Sequence, residues 1–456
     1  MDKNNGAIYD ARKLGKPKMI ILGVQHMFAM FGATILVPIL TGLDISTTLL
    51  MAGLGTLLFH CITKFKVPAF LGSSFAFLGG YAAIKAFSPN DPNSMLPYAC
   101  LGVACAGLIY FILAAVIKAV GIEKVMRFFP PVVTGPIIIA IGLGLAPSAV
   151  SNCTTNWFLA VVALAVIVVF NIWGKGMAKI IPIILGLLIS YGTGLVLYFI
   201  SQANPDLIQN VPWLFSGGAD ANGVYQPIFD FTSLNTICDN ISKGHIFGSE
   251  GLIGIPIHWD KTVFGGIDYS NGALIASSII AIVPIAFATM MEHIGDICAI
   301  SSTTGNNYIK DPGLHRTLVG DGLATTLASL FGGPANTTYG ENTGVLALTR
   351  VYDPRVIRIA AYFAVAVSFF PIVSVIIGSI PSCIIGGISF VLYGMISAIG
   401  VRNVVENKVD FTKSRNLIVA AVILVCALGL SSDTVSFTIG SAAITLSPLA
   451  RSEERR

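Results

Sequence analysis

Long apolar runs separated by short polar breaks fill most of the 456-residue chain. A helix needs roughly 17–25 residues to cross a bilayer. On that measure the first half predicts crossings at 19–40, 45–62, 67–87, 96–117, 128–145, 157–173 and 180–200. A polar stretch, 201–269, follows. The second half predicts crossings at 273–291, 318–331, a broken segment near 339–348, then 356–377, 383–399, 417–430 and a short 435–446. The expectation is an all-α membrane protein of about fourteen transmembrane segments.

Lys and Arg placement sets the orientation, because cytoplasmic loops are enriched in them. The N-terminus carries Lys3, Arg12, Lys13, Lys16 and Lys18, and alternate loops carry Lys64 and Lys66, Lys118 with Lys124 and Arg127, and Lys175 with Lys179. The later basic loops hold Lys310 with Arg316, Arg350 with Arg355 and Arg358, and Arg402 with Lys408, Lys413 and Arg415. The loops between are nearly free of positive charge. This alternation requires an odd number of crossings in each half. Seven and seven satisfies it, with the N-terminus cytoplasmic and the halves inverted, a common plan among secondary transporters.

Each half interrupts its third segment. In the first half the break is Pro68-Ala69-Phe70-Leu71-Gly72-Ser73-Ser74-Phe75-Ala76; in the second it is Asn336-Thr337-Thr338-Tyr339-Gly340-Glu341-Asn342-Thr343-Gly344. Non-helical backbone at membrane depth persists only where protein or a water-filled cavity satisfies its N–H and C=O groups. A helix restarting after such a break points N–H groups and a positive dipole end at the gap. The two runs are expected to pair as short antiparallel strands in segments 3 and 10, forming one wall of a binding site.

Composition agrees. Hydrophobic residues make up 54% of the chain and charged residues 11%, with mean hydropathy +0.80, against about 25% charged in soluble domains. The net charge of +4 is small and no basic stripe appears, which argues against nucleic acid as a partner. The eight cysteines are scattered without a CxxC or Cys/His cluster, so neither zinc nor a disulfide framework is indicated. No cofactor is expected.

Ionisable residues inside spans are functional candidates by default. Glu292 and Asp296 are spaced i, i+4 and share a helix face. Two placements suit them: a buried site, or the solvated cytoplasmic end of a span closing at Met291. Asp321 is either buried and paired or close to water at a helix start. His26 is either a structural hydrogen-bonder or a proton carrier.

Several motifs then identify a family. Gln25-His26-Met27-Phe28-Ala29-Met30-Phe31-Gly32-Ala33-Thr34 resembles the first helix of bacterial uracil permeases. Val67 to Phe77, Glu292-His293-Ile294-Gly295, Asp311-Pro312-Gly313-Leu314-His315-Arg316 and Asn336 to Asn342 resemble the same proteins. The chain is similar, over about residues 22–446, to the nucleobase–ascorbate transporter (nucleobase–cation symporter) family. The resemblance implies two inverted seven-segment repeats and a homodimer. It implies a core domain at 18–118 and 270–380, a gate domain at 124–201 and 381–449, and an extracytoplasmic loop at 202–269. It also implies that Glu292 and Glu341 bind the base and that Phe75, beside Ser74, stacks on it. The backbone around Tyr339 and Gly340 completes the pocket, and Tyr393 reaches in from the gate.

The chain departs from the uracil permease pattern at Asp296, where a second histidine is usual, and at Asp321, where xanthine and urate members also carry aspartate. Glu341 favours uracil, since those purine members have glutamine there. Uracil presents ring N–H donors that carboxylates accept, and charge-assisted bonds are roughly twice as strong as neutral ones. A second carboxylate nearby raises a carboxyl pKa, so Glu292 with Asp296, or with Glu341, is suited to hold one exchangeable proton. Proton coupling is assigned to Glu292, Asp296, His26 and Asp321.

The expected function is import of uracil by proton symport across a bacterial inner membrane. The alternative is another nucleobase, purine or pyrimidine. An anion carrier or channel of the same plan would want a positive site, and no nucleophile–base pair, metal cluster or phosphate loop suggests an enzyme. The last apolar run, 435–446, is shorter than a crossing helix, and Pro448 and a charged tail follow it. The expectation is a fourteenth segment that ends prematurely, with a weakened gate; the alternative is a genuinely short, tilted or re-entrant segment capped by a basic cytoplasmic tail.

Overall fold

The computed structural model describes residues 7–121, 124, 130–179, 181–220, 222–429, 435–439 and 442–446; at Glu341 and in 435–446 only the backbone is described. Helices α1 (Lys16–Thr41) and α2 (Ile45–Ile62) are followed by strand β1 (Leu71–Ser73), α3 (Leu78–Lys85) and α4 (Leu96–Val120). Next come α5 (Pro131–Cys153), α6 (Trp157–Trp173), α7 (Pro182–Ala203), β2 (Ser216–Ala219), β3 (Tyr225–Pro227) and α8 (Thr232–Ser242). The second half contains α9 (Gly272–Ile282), α10 (Ala286–Thr304), α11 (Leu314–Leu330), β4 (Asn336–Thr338) and α12 (Gly340–Thr349). It ends with α13 (Pro354–Ser368), α14 (Pro371–Gly378), α15 (Ser382–Glu406), α16 (Ser414–Gly429), β5 (Val435–Ile439) and β6 (Ala442–Leu446).

Seven helical stretches among the described residues are long and apolar enough to cross a membrane: α1, α2, Pro92–Val120, α5, α7, Gly272–Thr304 and α15. The protein is therefore a multi-pass membrane protein. Three predicted segments differ from expectation. The segment predicted at 273–291 continues as helix to Thr304 after a short 3-10 turn at Val283–Ile285. Glu292 and Asp296 thus lie inside a helix, not at its end. The segment predicted at 356–377 is two helices, α13 and α14, bent by 87°, because Pro371 removes an N–H and cannot continue the first helix. The last apolar run is an antiparallel hairpin, Val435↔Leu446 to Ile439↔Ala442, instead of a short helix. Its β-branched and aromatic content (Val435, Phe437, Thr438, Ile439, Ile444, Thr445) favours strand. The tail from Ser447 onward lies outside the described residues.

The chain divides into two compact units. One comprises Met1–Ile137, Ile255–Phe369 and Arg402–Arg456; the other comprises Ile138–Gly254 and Phe370–Val401. In the first, α11 packs on α4 and α2, and α13 packs on α2 and α1. Small residues let these backbones approach, as membrane helices require when lipid offers no hydrophobic drive. A Cβ on Gly107 would lie 2.8 Å from Gly322 O, and one on Gly322 would lie 2.6 Å from Gly107 O, so α4 and α11 touch through reciprocal glycines. Asp44 caps α2 by accepting from Thr47 N at 2.7 Å, which satisfies one otherwise orphaned donor.

The N-terminal segment straps this unit. Ile8 bridges Val351, Tyr9 Oη donates to Thr304 O at 2.7 Å, and Ala11 N donates to Asp353 Oδ2 at 2.7 Å. Arg355 pairs with both Asp10 (2.9 Å) and Asp353 (3.2 Å). In the second unit, α6 and α7 pack through Gly186, and Tyr191, Tyr198, Phe229 and Phe231 form an aromatic cluster.

Candidate substrate site

The two interrupted segments meet within the first unit. β1 and β4 pair antiparallel, with Leu71↔Thr338, Gly72↔Thr337 and Ser73↔Asn336. Flanking bonds from Tyr339 N to Phe70 O (3.0 Å) and Ser74 N to Ala335 O (2.8 Å) extend the ladder. Side chains close the outer edges of this two-stranded sheet. Thr56 Oγ1 accepts from Leu71 N at 2.9 Å, Thr325 donates to Asn336 O, and Asn336 Nδ2 donates to Met51 O at 2.8 Å. Buried backbone groups are thereby satisfied without continuous helix. α3 and α12 each begin just beyond a strand, so both helix N-termini adjoin the pair.

Tyr339 locks the pair to α1. Its hydroxyl donates to Ser73 O at 2.8 Å and lies 3.4 Å from Thr34 Oγ1. The ring fills the space beside Gly72, where a Cβ would stand 2.6 Å from Tyr339 Cζ and 2.7 Å from Thr34 Oγ1. Ser74 is buried and Phe75 half-buried against the core. Buried polar atoms without a hydrogen-bond partner among the described residues flank the strand-to-helix joints: Ser74 Oγ, Asn342 Oδ1 and Thr343 Oγ1. Such groups are unusual inside proteins and call for water or a polar ligand.

A second polar layer lies behind β4. Thr338 Oγ1 donates to Asp296 Oδ2 at 2.9 Å and lies 3.3 Å from His293 Nδ1. His293 Nδ1 is also 3.3 Å from Asp321 Oδ1, and Thr337 Oγ1 donates to Asp321 Oδ2 at 3.3 Å. Asp321 and His293 are fully buried, whereas Asp296 is half-buried and Glu292 exposed. Asp321 is therefore the buried, paired residue of the two alternatives, three residues beyond Leu318 in a helix that starts earlier, at Leu314. Asp296 also neighbours Gly340: a Cβ there would lie 3.7 Å from Asp296 Oδ1. His26 is fully buried and meets Asn342, whose Nδ2 lies 3.3 Å from His26 Nδ1 and donates to His26 O.

The structure thus brings Asp296, Asp321, Tyr339 and Gly340 around one strand end. Glu341 occupies the first turn of α12. Tyr393 is buried within α15, in the other unit. Sequence reasoning missed His293, Thr337 and Thr338 as site residues. The signal for His293 is its i, i+3 spacing to Asp296; nothing in the sequence pairs either threonine with a carboxylate more than a dozen residues away.

A profile described as the Permease family matches residues 17–435. The chain belongs to this family. It is 38% identical over 421 residues to a uracil permease of Bacillus caldolyticus, covering 90% of this chain and 85% of that protein. It is 38% identical over 423 residues to the uracil permease of Bacillus subtilis, with the same coverage of each. Among solved structures, the transmembrane domain of the cyanobacterial bicarbonate transporter BicA matches with a TM-score of 0.63 at 13% identity, covering 93% of this chain and 97% of that one. At that identity the likeness concerns the fold alone. The family makes this permease a transporter and not an enzyme.

Proposed function

We propose that this permease imports uracil by proton symport across a bacterial inner membrane. The observation that carries the reading is the 38% identity, over 90% of the chain, to proteins that bear the name uracil permease. The site chemistry supports it. Carboxylates at Glu292 and Glu341 accept the ring N–H groups of the base, backbone N–H groups at the start of α12 serve its carbonyls, and Phe75 covers the ring. Charge-assisted donors and acceptors of this kind give specificity as well as strength.

The same reading takes Asp296 and Asp321, with Glu292 and His26, as the groups that hold the coupled proton. It takes the chain as fourteen segments in two inverted seven-segment repeats, with a cytoplasmic N-terminus. The core domain then spans 18–118 and 270–380, the gate spans 124–201 and 381–449 and supplies Tyr393, and two copies form a dimer. Uptake of radiolabelled uracil, with unlabelled xanthine as competitor, tests substrate choice. Competition by xanthine at uracil-like concentrations would move the assignment to a purine carrier, the option that Asp321 suggests.

A further inference from the structure

Where α2 ends and α13 begins, several basic side chains have acidic partners. Lys66 donates to Asp311 at 2.7 Å, Arg12 to Asp10 at 2.8 Å, and Arg355 to both Asp10 and Asp353. Arg358 does not. It lies on α13 a little more than one turn past the capping Asp353, about 7 Å along the axis. Among the described residues its guanidinium makes no hydrogen bond and no ion pair, and Nη1 is buried without an acceptor. The side chain is only half-buried, so the rest of the guanidinium fork reaches the surface.

An aromatic ring covers one face of that fork. The guanidinium carbon of Arg358 sits 4.9 Å from the centroid of Phe65, which is itself 51% exposed. Phe65 and its exposed neighbour Lys64 both stand at φ 57°, the left-handed region. Strain of that kind in residues other than glycine recurs at ligand clamps. The surface running on from Arg358 is apolar. α2 and α13 close on each other at Gly53, where a Cβ would stand 2.7 Å from Ala361 O. Tyr362 and Phe369 continue the Arg358 face of α13, and Leu54 and Cys61 share the outer face of α2; all four are exposed.

A cation without an acceptor beside a hydrocarbon-facing surface is costly. A guanidinium meets phosphate with its planar fork, in charge-assisted bonds. We propose that Arg358, with Lys64 and Phe65, binds the phosphate of an anionic phospholipid whose acyl chains lie along the outer face of α2 and α13. Phe65 holds the fork by its face and leaves an edge for the phosphate oxygens. Lys64 adds a second positive charge at headgroup level. α2 also carries Thr56 and the Met51 carbonyl, which hold β1 and β4, so a lipid seated here braces the strand pair from behind.

The test is a titration of the purified chain in neutral detergent with phosphatidylglycerol, phosphatidylcholine or inorganic phosphate. Native mass spectrometry reads the bound lipid, and the melting temperature reads stabilisation. The chains compared are wild type, Arg358→Gln, Lys64→Gln and, as a control for charge alone, Arg402→Gln on the exposed end of α15. Wild type and Arg402→Gln should retain phosphatidylglycerol and melt higher with it, as any ligand of the folded state requires. Phosphatidylcholine and inorganic phosphate should do neither. Arg358→Gln should weaken phosphatidylglycerol binding about tenfold, the loss of one hydrogen bond to a charged group. Lys64→Gln, on an exposed turn, should weaken it about fivefold and decides the matter if Arg358→Gln does not fold. Wild-type binding of phosphatidylglycerol by folded Arg358→Gln or by Lys64→Gln overturns the inference, as does an equal loss in Arg402→Gln. Equal effects of phosphatidylcholine and phosphatidylglycerol deny the anionic headgroup, and equal stabilisation by inorganic phosphate denies the lipid; either result overturns it too.

Discussion

Asp321 Oδ1 and His293 Nδ1 lie 3.3 Å apart, and neither side chain exposes any surface. The contact is a close approach without a hydrogen bond, since Asp321 Oδ1 has no hydrogen-bond partner among the described residues. Thr337 supplies the second contact at 3.3 Å. Replacing Asp321 with alanine takes the acceptor from the buried Thr337 hydroxyl, at about 1–3 kcal/mol. Asp321→Ala is therefore expected to lower the melting temperature of the detergent-solubilised protein well below that of Asp321→Asn, which keeps an acceptor. Equal melting temperatures would show that the contacts do not stabilise the fold.

Glu292 and Glu341 are the proposed acceptors for the ring N–H groups. Glutamine keeps the shape of each but lets the side chain donate where only acceptance is wanted. Truncating one partner of a buried charged hydrogen bond typically costs about 2–5 kcal/mol. Uracil affinity measured by calorimetry is expected to fall by that amount in Glu292→Gln and in Glu341→Gln. An unaltered affinity in either variant removes that residue from the site.

Phe75 follows β1 and is half-buried beside the strand pair. Phe75→Ala is expected to weaken uracil binding by roughly 1–3 kcal/mol, the range for base–aromatic stacking. The fold should be little affected by comparison. If affinity is unchanged, a different residue covers the ring.

Gly72 leaves room for the Tyr339 ring, and a Cβ there would stand 2.6 Å from two of its carbons. Overpacking of this kind costs about 1–3 kcal/mol. Gly72→Ala is expected to lower both thermal stability and uracil affinity, because Tyr339 must leave the Ser73 carbonyl. Recovery of stability in Gly72→Ala combined with Tyr339→Leu would locate the clash; no recovery would place the strain elsewhere.

The N-terminal strap responds to acid in a defined direction. The Arg12 guanidinium bonded to Asp10 holds its carboxyl well below the ordinary value of 3.8, with Arg355 contributing. Arg12 lies in the strap itself, so only the Arg355 contribution favours docking; it is present above that ordinary value and lost as pH falls through the folded value. Protection of the strap from proteolysis should therefore persist through mildly acidic pH and disappear only in strong acid. In Asp10→Asn it should be weaker at neutral pH; an identical digestion pattern would deny the pairing a role.

The paired strands were legible because two runs of small and polar residues interrupt apolar segments at corresponding places. Leu71–Ser73 and Asn336–Thr338 lie within those runs. The continuation of helix through Glu292, His293 and Asp296 was not legible. Hydropathy falls there, and only tertiary partners such as Thr338 and Asp321 supply what water would. The bend at Pro371 was marked by the proline, but an apolar run conceals a change of direction. The hairpin at 435–446 escaped a reading by hydropathy because short apolar runs do not distinguish helix from strand. Its β-branched residues were the better guide.

The central claim is tested most directly by reconstituting the purified chain in proteoliposomes and measuring radiolabelled uracil under an imposed pH gradient, outside acidic. The account predicts that uracil accumulates above its external concentration, and that a protonophore abolishes the accumulation while leaving exchange of internal for external uracil intact. Equilibration without accumulation, indifferent to the gradient, would contradict proton symport; no uracil entry at all would contradict the assignment of substrate.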